Sequence, residues 1–399
     1  MPAAAPALPD CDALLARLRE VAPIVEEEAA ASEEARTLTP RTVETLIETD
    51  LMLAPLPREA GGYELPAPQL VRLYEEVARQ DGSTGWCFGM NGLVTGIAMA
   101  VLPESGRVRV CQDRAPGRTL LAGGFPPQGS AVRAADGWQL SGHYRFGSGC
   151  RHAHGMVCTA VEVVDGAVLM EGGVPAMRSF VLRPDQVRID DNWHVAGLEA
   201  TASCDYHVED VFVPDELSFA AGMSFRALRG RSLYSLPLLS LAGAPHAGFA
   251  LGVGKRALEE IARHATWRQR LGSSAPLAER PSFQQGFGRA NARLRAARAF
   301  VIKSLEALHA VSDDAEPGEP VPLRYRADAA AATTQAYEAA LEAAQFAFRA
   351  AGGAALHRSG RLQRCLRDIQ AGAQHIVVSD ESYERAAQVW LGVGEPSML

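Results

Sequence analysis

Twice along the 399-residue chain the spacing of apolar residues changes period. From Asp10 to about Asp113 they recur at helical intervals, from about Arg118 to Pro214 they alternate, and from about Ser232 onward the helical spacing returns. Periods of 3.6 and of 2 bury different faces, so each switch starts a new layer of structure. The order predicts an α+β chain: an N-terminal helical domain over 1–115, a central antiparallel β-domain over 116–225 and a C-terminal four-helix bundle over 226–399.

In the first segment Thr39 and Pro40 read as the N-cap and first residue of a helix over Arg41–Asp50. Leu70, Leu73, Tyr74 and Val77 form the stripe of the next, with Gly61, Gly62 and Pro66 in the loop between. Asp81-Gly82-Ser83-Thr84 offers cap residues for the apolar run Thr84–Pro103, which is long enough to span a bilayer. Asn91 and the glycines Gly85, Gly89, Gly92 and Gly96 favour a buried core helix instead. In the middle segment Asp136-Gly137 and Asp165-Gly166 are hairpin signals, and Trp138, Leu140, Tyr144 and Phe146 alternate along one strand. Tyr206, Val208 and Phe212 oppose His207, Val211 and Val213 along another, and the expectation is a compact antiparallel sheet or small barrel. The last segment reads as an antiparallel bundle of helices over Ser232–Ala265, Ser282–Val311, Leu323–Ala351 and Gln363–Leu391, with Val311–Val321 a solvated connection.

Charge and cysteine usage remove several functions. Thirty-nine Lys and Arg against 47 Asp and Glu, with no basic block, argue against nucleic acid or a membrane surface as partner. The opening MPAAAPALPD lacks the basic and apolar regions of a signal peptide and reads as a tail on a cytoplasmic protein. Seven scattered cysteines without a CxxC pair predict neither a disulfide framework nor a structural zinc site.

Three motifs have bland readings. Gly252-Val253-Gly254 fits a dinucleotide fingerprint on paper but lies inside an Ala/Leu-rich helical run, where close helix packing explains it. Phe146-Gly147-Ser148-Gly149-Cys150 lacks the first glycine of a nucleophile elbow. His143, His152, His154 and His375 show no metal-ligand spacing, so no metal is expected. Ser148 between two glycines, where a strand ends, suits close approach of a ligand; alone it is equally a turn serine, and His375 alone a core histidine.

Taken together these pieces resemble the acyl-CoA dehydrogenase fold family over nearly the whole chain. The resemblance is carried by Gly61-Gly62-Tyr63 followed by LVRLYEEVARQDGSTGW, by GLEATASCDYHVEDVFVP (Gly197–Pro214), and by WRQRLG (Trp267–Gly272) at the place of a flavin-phosphate arginine. Two further strings, SGHYRFGSGCRHA (Ser141–Ala153) and GGAALHRSGRLQRCLRDIQAGAQH (Gly352–His375), are similar to the two-component flavin-dependent monooxygenases of that fold. The dehydrogenases need a carboxylate base, commonly just after the position of His375. Here Ile376 stands there, and no Asp or Glu occurs between Glu216 and Glu259 to replace it.

The resemblance implies a homotetrameric oxygenase that takes reduced FAD or FMN (FADH2 or FMNH2) from a separate NAD(P)H:flavin reductase. It would react with O2 through a flavin C4a-hydroperoxide and hydroxylate an aromatic or polycyclic substrate. It further implies that Ser148 and His375 are catalytic, that Trp193, Arg268, Phe146 and Trp86 hold the flavin, and that Asn91 and His152 line the substrate pocket. Phenol-hydroxylating relatives often carry a histidine near Asn91 or Val94, and its absence widens the substrate range to polycyclic aromatics, indoles and amines. The alternatives are an acyl-CoA dehydrogenase or oxidase, an amine N-oxygenase of the same fold, and a flavin-free structural relative.

Overall fold

The computed structural model describes residues 10–112, 114, 115, 117–269, 275–314, 320–396, 398 and 399. Most of the N-terminal tail, residues 315–319 of the expected connection and Arg270–Gly272 of the arginine string lie outside these described residues.

The chain opens with α1 (Cys11–Ala35), α2 (Pro40–Ile47), α3 (Ala67–Gln80), α4 (Gly82–Val101) and α5 (Glu104–Cys111). Thr39 caps α2 by accepting from the Thr42 N–H, with Pro40 next, as its sequence predicts. Asp81 caps α4 through the Thr84 N–H at 2.9 Å. Among the described residues α4 is the one helix long and apolar enough to cross a membrane, and 89% of its apolar window is buried inside the protein. The glycines explain how: a Cβ at Gly85 would lie 2.5 Å from the Ala78 Cα, and one at Gly89 would lie 2.9 Å from Pro245. Without side chains there, α4 lies almost backbone to backbone against its neighbours.

The sheet follows with β1 (Leu121–Ala134), β2 (Gly137–Gly147), β3 (Gly155–Val164), β4 (Ala167–Val168), β5 (Met170–Glu171), β6 (Val174–Pro175), β7 (Met177–Leu182), β8 (Arg188–Ile189), β9 (Cys204–Pro214) and β10 (Ser218–Ala221). Its order is β10-β7-β3-β1-β2-β9-β8, with β4 on β3 and β5–β6 a separate ribbon. The path has two free ends, so it is an open sheet rather than a closed barrel. It is antiparallel except at one pair: β1 and β3 run parallel, Leu121 opposite Gly155. The reason lies in the connection. β2 returns the chain to the end where β1 began, and β3 starts from that end on the other side of β1, so residues 148–154 form a crossover. Asp165 and Gly166, at φ 51° and 78°, make the left-handed turn their sequence announces.

The bundle consists of α6 (Leu238–Trp267), α7 (Pro281–Asp314), α8 (Leu323–Ala351), α9 (Arg361–Gly372) and α10 (Glu381–Leu391). The fourth expected helix is thus two helices, separated by a single 3-10 turn at Ile376–Val378. Three consecutive β-branched residues followed by Ser379 and Asp380 disfavour continuation at this point. Gly252 and Gly254 lie inside α6, where a Cβ would meet Glu75 of α3 at 2.4 Å and Ala340 of α8 at 2.9 Å, so the fingerprint spacing is packing. α9 is tied to α1 by ion pairs from Arg364 and Arg367 to Glu33, and Arg367 also reaches Glu199 in the loop before β9.

Candidate active site

Four elements meet around the crossover. Phe146, next to last in β2, has φ 62° and Gly149 follows at φ 78°, so the chain turns sharply on either side of Ser148. The Gly149 N–H donates to the Thr201 carbonyl at 2.7 Å, pinning the crossover to the 3-10 turn Glu199–Thr201. That turn is bracketed by Leu198 and Ala202, both left-handed at φ 53° and 45°, an uncommon state for residues with a Cβ. It is held from below: Asp368 of α9 accepts the Leu198 N–H at 2.7 Å, and Arg358 and Arg367 pair with Glu199.

The two turns present a row of hydroxyls whose protons have one consistent direction. The Leu198 carbonyl, 2.8 Å from Thr201 Oγ1, can only accept, so with the single Thr201 proton in that bond the Oγ1 accepts from Ser203 at 2.7 Å. Ser203 in turn accepts from Ser148 at 2.7 Å. The Trp86 indole N–H donates to Ser148 Oγ at 3.1 Å. Ser148 has therefore committed its own proton inward and offers a remaining lone pair.

Asn91 and His152 stand on the other side of the crossover. Asn91 Nδ2 donates to the Ser148 carbonyl at 3.0 Å and the Leu121 carbonyl at 3.1 Å, and its Oδ1 is 3.3 Å from His152 Nε2. His152 Nδ1 is buried without a partner among the described residues, and burial, with His154 nearby, pushes this imidazole down to about 4. Asn91 thus holds the backbone that carries Ser148, and His152 stands behind Asn91.

His375 does not lie on a helix, as its sequence suggested, but caps the 3-10 turn after α9, its Nδ1 accepting from the Val377 N–H at 3.3 Å. Gly372 lets this end of α9 close onto its neighbours, since a Cβ there would be 2.5 Å from the Phe249 ring. The His375 ring comes 5.9 Å from Trp86, and Trp86 is flanked edge-on by Phe249 at 5.1 Å and by His246 at 5.2 Å. Burial pushes the His375 imidazole down to about 4, so it is neutral over the ordinary pH range.

The fold brings Trp86, Asn91, Ser148, His152 and His375 together. Phe146, 66% exposed, meets Trp193 edge-on at 6.4 Å, and the Trp193 N–H is fixed on the Leu198 carbonyl at 3.0 Å. Arg268 is elsewhere. It ends α6, twenty-two residues beyond His246 or about 33 Å of helix, so it does not share this site within one chain. His246, Tyr337, Thr201 and Ser203 were not singled out from sequence. The spacing Thr201-Ala202-Ser203, two hydroxyls two apart before a strand, was the available signal for the last pair; His246, one apolar-helix histidine among alanines and glycines, gave none.

Potential metal ligands do gather, though not where spacing could reveal them. His143 and His207 are cross-strand partners whose rings stack at 4.2 Å, with Asp190 alongside. His207 Nε2 lies 2.8 Å from Asp190, and His143 Nε2 lies 3.4 Å from Asp205. The Nε2 atom of each ring already has a carboxylate partner.

Two family models match the chain: acyl-CoA dehydrogenase, N-terminal domain, over residues 13–105, and acyl-CoA dehydrogenase, C-terminal domain, over residues 244–380. The indole-3-acetate monooxygenase of Pseudomonas putida is 28% identical over 343 residues, 84% of this chain and 83% of the relative. The oxygenase component of an FADH2-dependent resorcinol hydroxylase from Rhizobium sp. strain MTP-10005 is 28% identical over 375 residues, 91% of this chain and 90% of its own. The structure of XiaF from Streptomyces sp. in complex with FADH2 and glycerol shares the fold with a TM-score of 0.87 at 23% identity, covering 97% of each chain.

Proposed function

Because the chain belongs to the acyl-CoA dehydrogenase family, in its branch of reduced-flavin-dependent monooxygenases, we infer that it is the oxygenase component of a two-component system hydroxylating an aromatic or polycyclic substrate. Reduced FAD or FMN, delivered by a separate NAD(P)H:flavin reductase, supplies the activation of O2 and the transfer of one oxygen atom. The observation that carries the reading is the direction of the hydroxyl row. A reduced flavin has hydrogen on N5, and Ser148 offers that edge an acceptor, whereas an oxidised ring would bring a second acceptor to it. Exposed Phe146 and half-buried Trp193 add flat apolar surface beside this polar edge, which suits an isoalloxazine. Trp86 and Phe249 keep water away from the imidazole side.

The absence of a carboxylate base argues against the dehydrogenase alternative. Ile376 follows His375, and α6 carries no Asp or Glu before Glu259. Arg268, too far along α6 to serve its own chain's site, fits a flavin phosphate held by a second copy, and the expected homotetramer is part of the proposal. So is a cytoplasmic location, where the reductase would be met.

Electron supply tests the reading. The isolated protein with bound flavin should consume no NADH, and addition of any flavin reductase should start turnover and product formation. NADH oxidation by the protein alone, or rapid anaerobic flavin reduction by an acyl-CoA, would sink it.

A second expectation concerns Ser148. Ser148→Ala removes a hydrogen bond worth about 1–3 kcal/mol, so release of H2O2 in place of product should rise roughly tenfold to hundredfold. Ser203→Ala, which frees the Ser148 proton, should show the same defect in weaker form. Coupling as good as the parent's in Ser148→Ala would reduce Ser148 to a turn residue.

A further inference from the structure

One fully buried group has no task in this reading. His246, on α6, lies with its Nδ1 3.0 Å from the Tyr337 hydroxyl of α8, and its Nε2 has no hydrogen-bond partner among the described residues. Its ring is 4.3 Å from that of His375, tilted by 44°. Two proton arrangements are available to the His246–Tyr337 pair. If Nδ1–H donates to the tyrosine oxygen, both the phenol proton and the Nε2 lone pair are left bare in the core. If the phenol donates to Nδ1, only one group is unsatisfied, an N–H on Nε2. The second arrangement leaves fewer buried groups unpaired and is favoured.

His375 reaches the same state by another route, since its Nδ1 accepts the Val377 N–H and its hydrogen is therefore on Nε2. Two imidazoles, both kept neutral by burial, thus stand side by side as N–H donors between Trp86, Phe249 and Tyr337. Such a pair in an apolar wall is complementary to an oxygen atom carrying negative charge. It does not complement a cation or a hydrocarbon edge.

We propose that His246 is a substrate-binding residue, its Nε2–H joining that of His375 in donating to a phenolate or ring-carbonyl oxygen of the aromatic substrate, with Tyr337 as the positioning residue that fixes the tautomer. The proposal rests on the reading of this pocket as that of an aromatic oxygenase and supplies its substrate class. Donation to the oxygen favours the phenolate form, its proton passing to solvent as the substrate binds because neither imidazole has a free lone pair to take it, and the phenolate ring is richer in electrons and more readily oxygenated.

The test compares 4-fluorophenol with 4-fluorotoluene, which replaces the hydroxyl by a methyl group, on the complex with reduced flavin held anaerobically. Both are followed by 19F NMR. The parent protein should bind the phenol about tenfold more tightly than the toluene, with its resonance displaced toward that of the phenolate. Tyr337→Phe and His246→Leu should each abolish most of that preference and displacement, leaving affinity for 4-fluorotoluene within about twofold, while His246→Gln, which keeps an N–H, should restore part of it. Absence of the preference in the parent, or its survival in both Tyr337→Phe and His246→Leu, overturns the assignment. Flavin absorbance in the same samples separates the two readings. No flavin binding in the parent overturns the oxygenase reading, whereas normal binding with an unchanged phenol preference overturns the role of His246 alone.

Discussion

Alanine at position 375 is expected to slow oxygen transfer by about 10²–10³-fold, the cost of one preorganised hydrogen-bond donor, while leaving reduced flavin bound, so that most reducing equivalents leave as H2O2. His375 touches the Trp86 side of the pocket and not the hydroxyl row, which places its contribution on substrate. Its protonation state specifies what that contribution is. Nδ1 is engaged by the Val377 amide and the ring is neutral above about pH 4, so the group facing substrate is an N–H donor rather than a free base. His375→Gln, which retains a terminal N–H, should therefore keep far more product formation than His375→Ala, and the parent's yield should be flat from about pH 5.5 to 8 as far as His375 is concerned. Product per O2 consumed measures all three outcomes. Equal yields in the parent and His375→Ala would mean a structural histidine.

A second large effect is expected at Asp368, in stability rather than chemistry. Its carboxyl is completely buried; Oδ1 takes the Leu198 N–H while Oδ2 has no hydrogen-bond partner among the described residues and faces Gly82 at the start of α4. Burial, and then the charge of Asp81, push it up to about 7 from its ordinary 3.8, against the pull of Arg364 and Arg367. A folded protein that keeps a proton the unfolded chain has released loses stability as pH rises between those two values, and no further above them. The gap corresponds to roughly 4 kcal/mol. Asp368→Asn keeps the bond to Leu198 and has nothing to ionise. Its melting temperature should equal the parent's near pH 4 and exceed it clearly at pH 8. Parallel melting curves across that range would show that Asp368 does not titrate in this way.

Most of the architecture is legible because it follows from local periodicity. The Thr39 cap, the apolar helix with its glycines, the Asp165-Gly166 turn and the long bundle helices are each dictated within a few residues. The parallel β1–β3 pair is not, since Ser141–Ala153 says that a strand ends but not on which side of β1 the next begins. The break before Ile376 was written in its three β-branched residues but outweighed by the helical texture around them. Within the site, Ser148, Trp86 and His375 stood out through family resemblance, whereas the Ser148–Ser203 bond and the His246–Tyr337 pair join residues far apart in the chain. The stacked His143 and His207 illustrate the same limit, being neighbours only across a strand register.

α9 has a consequence for how such a site can diversify. Through Asp368 and Arg367 it fixes the loop that carries Thr201 and Ser203, and one residue past its last turn it begins the segment that sets His375 in place. A single rigid rod therefore sets the gauge between the edge that receives the cofactor and the wall that receives the substrate. Changes on α6 or α8 can reshape the wall while that gauge stays constant. A change of length or register in α9 alters both halves together, so new specificities are more accessible from positions such as 246 and 337 than from any position between 361 and 372.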